Sequence, residues 1–226
     1  MTHYFEILEN VRRLSKRCGR DPGSIKLLAV SKNRDIDQIQ QVFNEGCLDF
    51  GESRWQEAKE KILFLPENIQ WHFIGTLQSN KVNPVISNFS LIHSVDHFSL
   101  LKKISQVSHE KQINTSVLLQ VNTSGELTKH GLKPEEWENF LDEVNDLPNI
   151  QIKGLMTMAP MTKDETIIRL CFRRLYDLRE NWKNRMRDPL IFNELSMGMS
   201  NDYGIAIEEG ATILRIGSAI FETHHA

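Results

Sequence analysis

Short apolar runs recur along this chain, and after most of them the apolar positions switch to helical spacing. The runs fall at about 25–32, 47–52, 69–77, 91–96, 116–123, 150–158, 191–197 and 212–219, and read as strands. Between them, 35–46, 54–63, 98–109, 134–144 and 166–184 carry apolar residues at helical intervals, the stripe of a helix lying on a core. Asp35 and Pro134 suit helix starts, and Pro160 stops the strand that reaches Met158. Residues 1–14 predict one more amphipathic helix ahead of the first strand.

Strands alternating with helices imply a parallel sheet. Eight such units without a Pro- or Ser-rich linker favour a closed (β/α)8 TIM barrel over an open doubly wound sheet. One domain spanning 1–226 is expected, with no added β domain. Lys32, Glu52, Gln78, Asp96, Asn122, Met158, Ser200 and Gly217 all fall at or just past the carboxyl ends of the predicted strands. That end is where barrels of this class carry their active sites.

Composition narrows the partners. A formal charge of -3 gives no electrostatic reason to expect nucleic acid or an anionic membrane, so an anionic ligand needs a local positive site. Cys18, Cys47 and Cys171 are odd in number and far apart, which excludes a disulfide framework and a paired-cysteine metal site and fits a reducing cytoplasm. The first residues carry acidic side chains and no unbroken apolar core, unlike a signal peptide. No apolar run approaches the roughly 20 residues of a membrane span. Trp55, Trp71, Trp137 and Trp182 follow no basic track of the kind that binds single-stranded nucleic acid.

Lys32 follows the apolar Leu27-Leu-Ala-Val30, where desolvation at a strand end would lower the amine pKa and make it nucleophilic towards an aldehyde. Taken alone, a lysine at such a place is more often solvated. Arg215 interrupts Ile213-Leu-Arg-Ile216, so its guanidinium must enter the barrel mouth and find a partner. It could bond a pyridine nitrogen, or form an interior salt bridge, for example to Glu52. Met199, Ser200 and Asn201 after the seventh strand, with Gly217 and Ser218 after the eighth, occupy the loops from which barrels build phosphate sites. Ser200 or Asn201 could equally cap the helix that starts near Asp202. His72 reads as a hydrogen-bonded interior residue, because no His/Cys/Asp cluster has metal-ligand spacing. Met156, Met158, Met161, Met197 and Met199 crowd the same rim and could line a flat ring, although methionine is by default a core residue. The pair His224-His225 reads as solvated.

A lysine, an arginine and a phosphate cup at one rim predict pyridoxal 5'-phosphate (PLP) bound as a lysine aldimine. Ala-Val-Ser-Lys32, Phe-Gly-Glu52, His72-Phe-Ile-Gly-Thr-Leu-Gln-Ser-Asn80-Lys81, His93-Ser-Val-Asp96, Gly154-Leu-Met-Thr-Met158, Leu195-Ser-Met-Gly-Met-Ser200-Asn-Asp202 and Arg215-Ile-Gly217 together resemble the pyridoxal phosphate homeostasis protein family over nearly the whole chain. The resemblance implies a fold-type III PLP barrel similar to the N-terminal domain of alanine racemase, with Lys32 as the aldimine lysine and Arg215 near the ring nitrogen. Ser53 and Asn33 stand where the family often has Asn and Thr. Lys81 and Lys129-His-Gly131 also match, without an assigned contact.

The same resemblance implies a carrier, buffer or regulator of PLP without efficient catalysis, with PLP-dependent apoenzymes as possible recipients. The alternative is a small amino-acid racemase, which needs an acid/base group on each face of the cofactor. Alanine racemase-like enzymes take the second base, a tyrosine, from a β domain across a dimer. Of Tyr4, Tyr176 and Tyr203, the first two fall in predicted helices and only Tyr203 lies near the phosphate loop. This favours the carrier and a monomer over the enzyme. A barrel for some other phosphorylated ligand is the remaining reading.

Overall fold

The computed structural model describes residues 2–126 and 130–222. Its eight strands are β1 (Lys26–Val30), β2 (Asp49–Glu52), β3 (Gln70–Phe73), β4 (Leu91–Val95), β5 (Thr115–Gln120), β6 (Ile150–Met156), β7 (Glu194–Ser196) and β8 (Ile213–Ile216). Each pairs in parallel with its neighbours in chain order, and β8 pairs with β1 through Lys26–Ile213 to Ala29–Ile216, which closes the barrel. The helices are α1 (Tyr4–Arg17), α2 (Ile36–Asn44), α3 (Trp55–Phe64), α4 (Val82–Asn88), α5 (Phe98–Glu110), α6 (Pro134–Glu138), α7 (Leu141–Asp146), α8 (Glu165–Lys183), α9 (Tyr203–Glu208) and α10 (Ser218–Phe221). This is the (β/α)8 barrel that the alternation predicts.

Strand alternation divides the core in two. Leu27, Ala29, Phe50, Trp71, Ile92, Leu119, Leu155 and Leu214 face outward into the layer under the helices. Leu28, Leu91, Leu118, Met156 and Ile213 form a separate cluster inside the barrel, with Ile74 and Met158 packed on it. Each fully buried aliphatic side chain is worth about 1.5–3 kcal/mol against exposure. Successive residues of one strand therefore serve two different cores.

Local chemistry sets the helix ends. Asp35 accepts the Gln38 amide at 2.8 Å while the Gln38 side chain accepts the Asp35 amide at 3.3 Å, a capping box that starts α2. Pro134 begins α6, where its missing N–H costs nothing. The single helix expected over 134–144 breaks at Asn139-Phe140 into α6 and α7. A helix the sequence pattern did not reveal, α4, contains Pro84 in its first turn, where an amide needs no intrahelical partner. The expected N-terminal helix is present as α1, which buries Tyr4, Ile7, Val11 and Ser15 against α9 and α10. Those two helices have only six and four residues, so α1 completes the covering of the barrel where its own ring is thin. Among the described residues no helix is long and apolar enough to cross a membrane. The three cysteines are unbridged.

Gly198 makes a left-handed turn just after β7. Its φ is +93°, and a Cβ there would sit 2.6 Å from the Ala206 Cβ on α9. Gly198→Ala is expected to lower the unfolding free energy by about 1–3 kcal/mol, from left-handed strain and this clash together. Urea denaturation of the cofactor-free protein measures the loss.

Candidate functional site

Lys32 lies two residues beyond β1, at its carboxyl end. The desolvation expected for it is not present, because the chain leaves the strand at Ser31 and Lys32 is exposed. The preceding residue is instead held rigidly. Ser31 donates its amide to the Gly51 carbonyl at 3.0 Å and its hydroxyl to Glu52 Oε1 at 2.6 Å. Lys61 of α3 donates to the Ser31 carbonyl at 2.8 Å and to Glu52 Oε1 at 2.7 Å.

Glu52 is fully buried on the outer side of β2, and its Oε2 has no hydrogen-bond partner. Arg215 lies on the inner side of β8, so the salt bridge considered between them does not form: the barrel wall separates them. Lys61 escaped the sequence reading because a lysine on an amphipathic helix normally reads as solvated. Its place on the face of Ala58, three residues earlier, was the available signal.

Arg215 is buried inside the barrel. Nη1 donates to Ser196 Oγ at 2.6 Å and Nη2 to the Thr157 carbonyl at 2.9 Å, which uses two of the five guanidinium N–H groups. Burial pulls its pKa down to about 10, partly offset by the Asp202 carboxylate, and it stays cationic at neutral pH. Ser196 Oγ is also 2.8 Å from His93 Nδ1, His93 Nε2 is 2.9 Å from His72 Nδ1, and His72 Nε2 is 3.0 Å from Asp49 Oδ1. Asp49 completes the line with an ion pair to Lys26 at 3.0 Å. The expectation of His72 as a hydrogen-bonded interior residue holds. Burial pushes both histidines below their ordinary range: His72 against the pull of Asp49, His93 further, with His72 and Arg215 adding to the effect.

The turns after β7 and β8 meet. Ser218 Oγ donates to Ser200 Oγ at 3.0 Å, and the Ala219 amide reaches Ser200 Oγ at 3.4 Å. Ser200 thus bonds across to the neighbouring turn and does not cap α9. Asp202 is the residue that opens α9, yet its carboxylate turns back to accept the Met199 amide at 2.6 Å, so that amide is already engaged. Burial raises the Asp202 pKa against that bond and the Arg215 charge. Asn201 is exposed in the same turn. At Gly217 a Cβ would meet the Val30 carbonyl oxygen at 3.2 Å and the Val30 Cβ at 3.3 Å, so glycine lets the end of β8 close on the end of β1.

The other rim residues take separate places. Gln78 and Lys81 line a cavity of about 400 Å³ with Ser53, Arg54 and Trp55 beside the ends of β2 and β3. Asp96 pairs with His97 at 2.6 Å and His130 at 3.5 Å, and Asn122 holds the Glu126 carbonyl at 2.8 Å. The methionines do not share one face: Met156 and Met158 belong to the inner cluster, Met197 to the outer core, and Met161 is exposed. Lys129 and His224-His225 lie outside the described residues. Among the described residues no group of three or more His, Cys, Asp or Glu could hold a metal.

The family described as alanine racemase, N-terminal domain, matches residues 3–224. The pyridoxal phosphate homeostasis protein of Aquifex aeolicus is 38% identical over 216 residues, covering 95% of this chain and 94% of that protein. The structure of PipY from Synechococcus elongatus with PLP bound superposes with a TM-score of 0.82 at 33% identity, covering 93% of this chain and 99% of that one. Alanine racemase from Clostridium difficile shares the fold at a TM-score of 0.73 and 14% identity, with 97% of this chain matched to 57% of the enzyme. This chain belongs to the alanine racemase N-terminal domain family and, within it, to the pyridoxal phosphate homeostasis proteins.

The two neutral histidines give the fold a definite pH response. The unfolded chain takes up protons at these residues below about 6.5 while the folded chain resists them, so stability is full above that pH and falls as the pH drops. For each histidine kept neutral, the loss approaches about 1.4 kcal/mol per pH unit below the unfolded pKa. The charged groups that set this are Lys26, Asp49, Glu194 and Arg215, from β1, β2, β7 and β8. Urea midpoints between pH 7.5 and 5.5 should fall, and His93→Gln should flatten the slope.

Proposed function

We propose that this chain binds PLP at the carboxyl ends of the strands, with Lys32 as its covalent attachment point, and serves in PLP homeostasis as a carrier, buffer or regulator. The observation that carries the reading is Arg215, a buried guanidinium inside an otherwise apolar strand, fixed by two hydrogen bonds and able only to donate. A donor that keeps its proton suits an unprotonated pyridine nitrogen.

The remaining residues fit the other two ends of the molecule. Lys32 provides an accessible amine whose root at Ser31 is immobilised. Ser200 and Ser218 provide hydroxyls 3.0 Å apart on two turns, and glycine at 217, where a Cβ would press on Val30, lets β8 end close against β1 beside them. Met199 and Asn201 contribute the shape of that turn. When bound, PLP supplies an aldehyde carbon that takes up amines and a ring that withdraws electrons from them. Lys32 anchors, Arg215 holds the ring nitrogen as an acceptor, and the serine turns orient the phosphate.

Adding PLP to the purified protein should give a visible absorbance band that borohydride abolishes, with the reduced adduct on Lys32 by mass spectrometry. Lys32→Ala should lose both. An adduct of equal yield on another lysine would remove Lys32 from the site.

The same reading assigns no efficient racemase activity. A second acid/base group opposite Lys32 is required, and the chain's three tyrosines serve elsewhere. Tyr4 is buried on α1, Tyr176 lies on α8 under the Arg179 guanidinium, and Tyr203 opens α9 beside the phosphate turns. Loss of one such group costs roughly 10²- to 10⁴-fold, so only slow exchange at Cα is expected with L- or D-amino acids in deuterated water. Sustained inversion of one amino acid at roughly 1 s⁻¹ or faster would make the protein an enzyme.

A further inference from the structure

A carboxylate can only accept and a neutral imidazole carries one proton, and with both histidines held neutral this settles the direction of the bonds in the line that ends on Asp49. Asp49 Oδ1 accepts from His72 Nε2, as it does from Lys26, so His72 Nδ1 is bare and accepts from His93 Nε2. His93 therefore carries its one proton on Nε2, and its bare Nδ1 accepts from the Ser196 hydroxyl. The Ser196 lone pairs are left to accept from Arg215 Nη1. The line crosses from β8 through β7, β4 and β3 to β2, with both imidazoles neutral and in the same tautomer.

We propose that Ser196, His93, His72 and Asp49 form a one-way hydrogen-bond chain that holds Arg215 in its donor role, with His93 as the positioning residue of the cofactor site. This rests on the reading that Arg215 faces the pyridine nitrogen. His93 is fully buried and acts through Ser196: it accepts the Ser196 proton, which leaves the Ser196 lone pairs for the guanidinium. A second proton, on His93 Nδ1, would set an imidazolium against Ser196 and bring a second cation beside Arg215. Burial, with the charges of Arg215 and Lys26 and the neighbouring His72, opposes that state. The bonds are also cooperative, since each donor is polarised by the acceptor before it.

The test begins on cofactor-free protein carrying ¹⁵N-histidine, because tautomers are read directly from long-range ¹H–¹⁵N correlations. His72 and His93 are both expected as Nε2–H tautomers at pH 7.5. In Ser196→Ala, His93 Nδ1 loses the hydroxyl that donates to it, and the change should pass to His72, which does not touch residue 196; Ser196→Thr, which keeps the hydroxyl, should restore both patterns. An Nδ1–H or cationic His93 in the parent overturns the proposal, as does a His72 pattern that Ser196→Ala leaves unmoved. In a second arm, PLP labelled at the ring nitrogen should show an unprotonated signal in the parent that moves towards the protonated form in Ser196→Ala and returns in Ser196→Thr. An unmoved ring signal beside relayed tautomers would overturn the positioning role. Failure of the Lys32 adduct is a separate outcome, since it removes the cofactor reading and leaves the tautomer result standing.

Discussion

A guanidinium inside a parallel barrel is the constraint on which the rest of this site depends. Taking such an ion out of water is expensive unless its donors are met, and the interior cluster of Leu28, Leu91, Leu118, Met156 and Ile213 can meet none of them. The barrel therefore supplies Ser196 and the Thr157 carbonyl at bonding distance, with Asp202 contributing charge from the next turn. Because Arg215 can only donate, its first partner must accept, and the polar interior follows from that choice. Neutral histidines, a carboxylate at the far end and a lysine beside it are successive answers to one buried charge.

Two polar systems occupy opposite sides of the same wall. Inside, the line runs from Arg215 to Asp49, at the ring end of the proposed site. Outside, Lys61 and Glu52 hold the backbone from which Lys32 departs. The period of two in a strand lets neighbouring residues such as Gly51 and Glu52 belong to different systems. The separation matters for electrostatics, since Lys61 answers the Glu52 carboxylate, while Arg215 is hydrogen-bonded by neutral partners with the Asp202 charge nearby.

The fold was legible because short apolar runs recur at regular spacing and most of the long helices between them carry an apolar stripe. Asp35 and Pro134 marked their helix starts through local bonding, which the sequence carries directly. Arg215 stood out as a charge in an apolar run, and Ser200 and Ser218 by their place after the last two strands. What escaped was whatever depends on closure. His93 appeared only inside a motif, since nothing along the chain says that β4 and β7 face each other across the interior. Lys61 was hidden because burial of a lysine stem is decided by the carboxylate it meets, 9 residues away on another element. Lys32 itself was assigned a dry setting that a one-residue departure from the strand removes.

Residue 31 is held at its amide, its carbonyl and its hydroxyl, and residue 32 is the first that is free. In mechanical terms Lys32 is a short flexible tether rooted in a rigid wall. Its four-carbon stem does the searching while its point of attachment does not wander, so the volume its amine samples is small and fixed relative to Arg215 and the serine turns. An amine confined in this way meets a seated ligand at a high effective concentration even though it is solvated. In the proposed site, that combination would separate the rate of capture from the strength of holding: the tether would govern the first, and the buried donors the second.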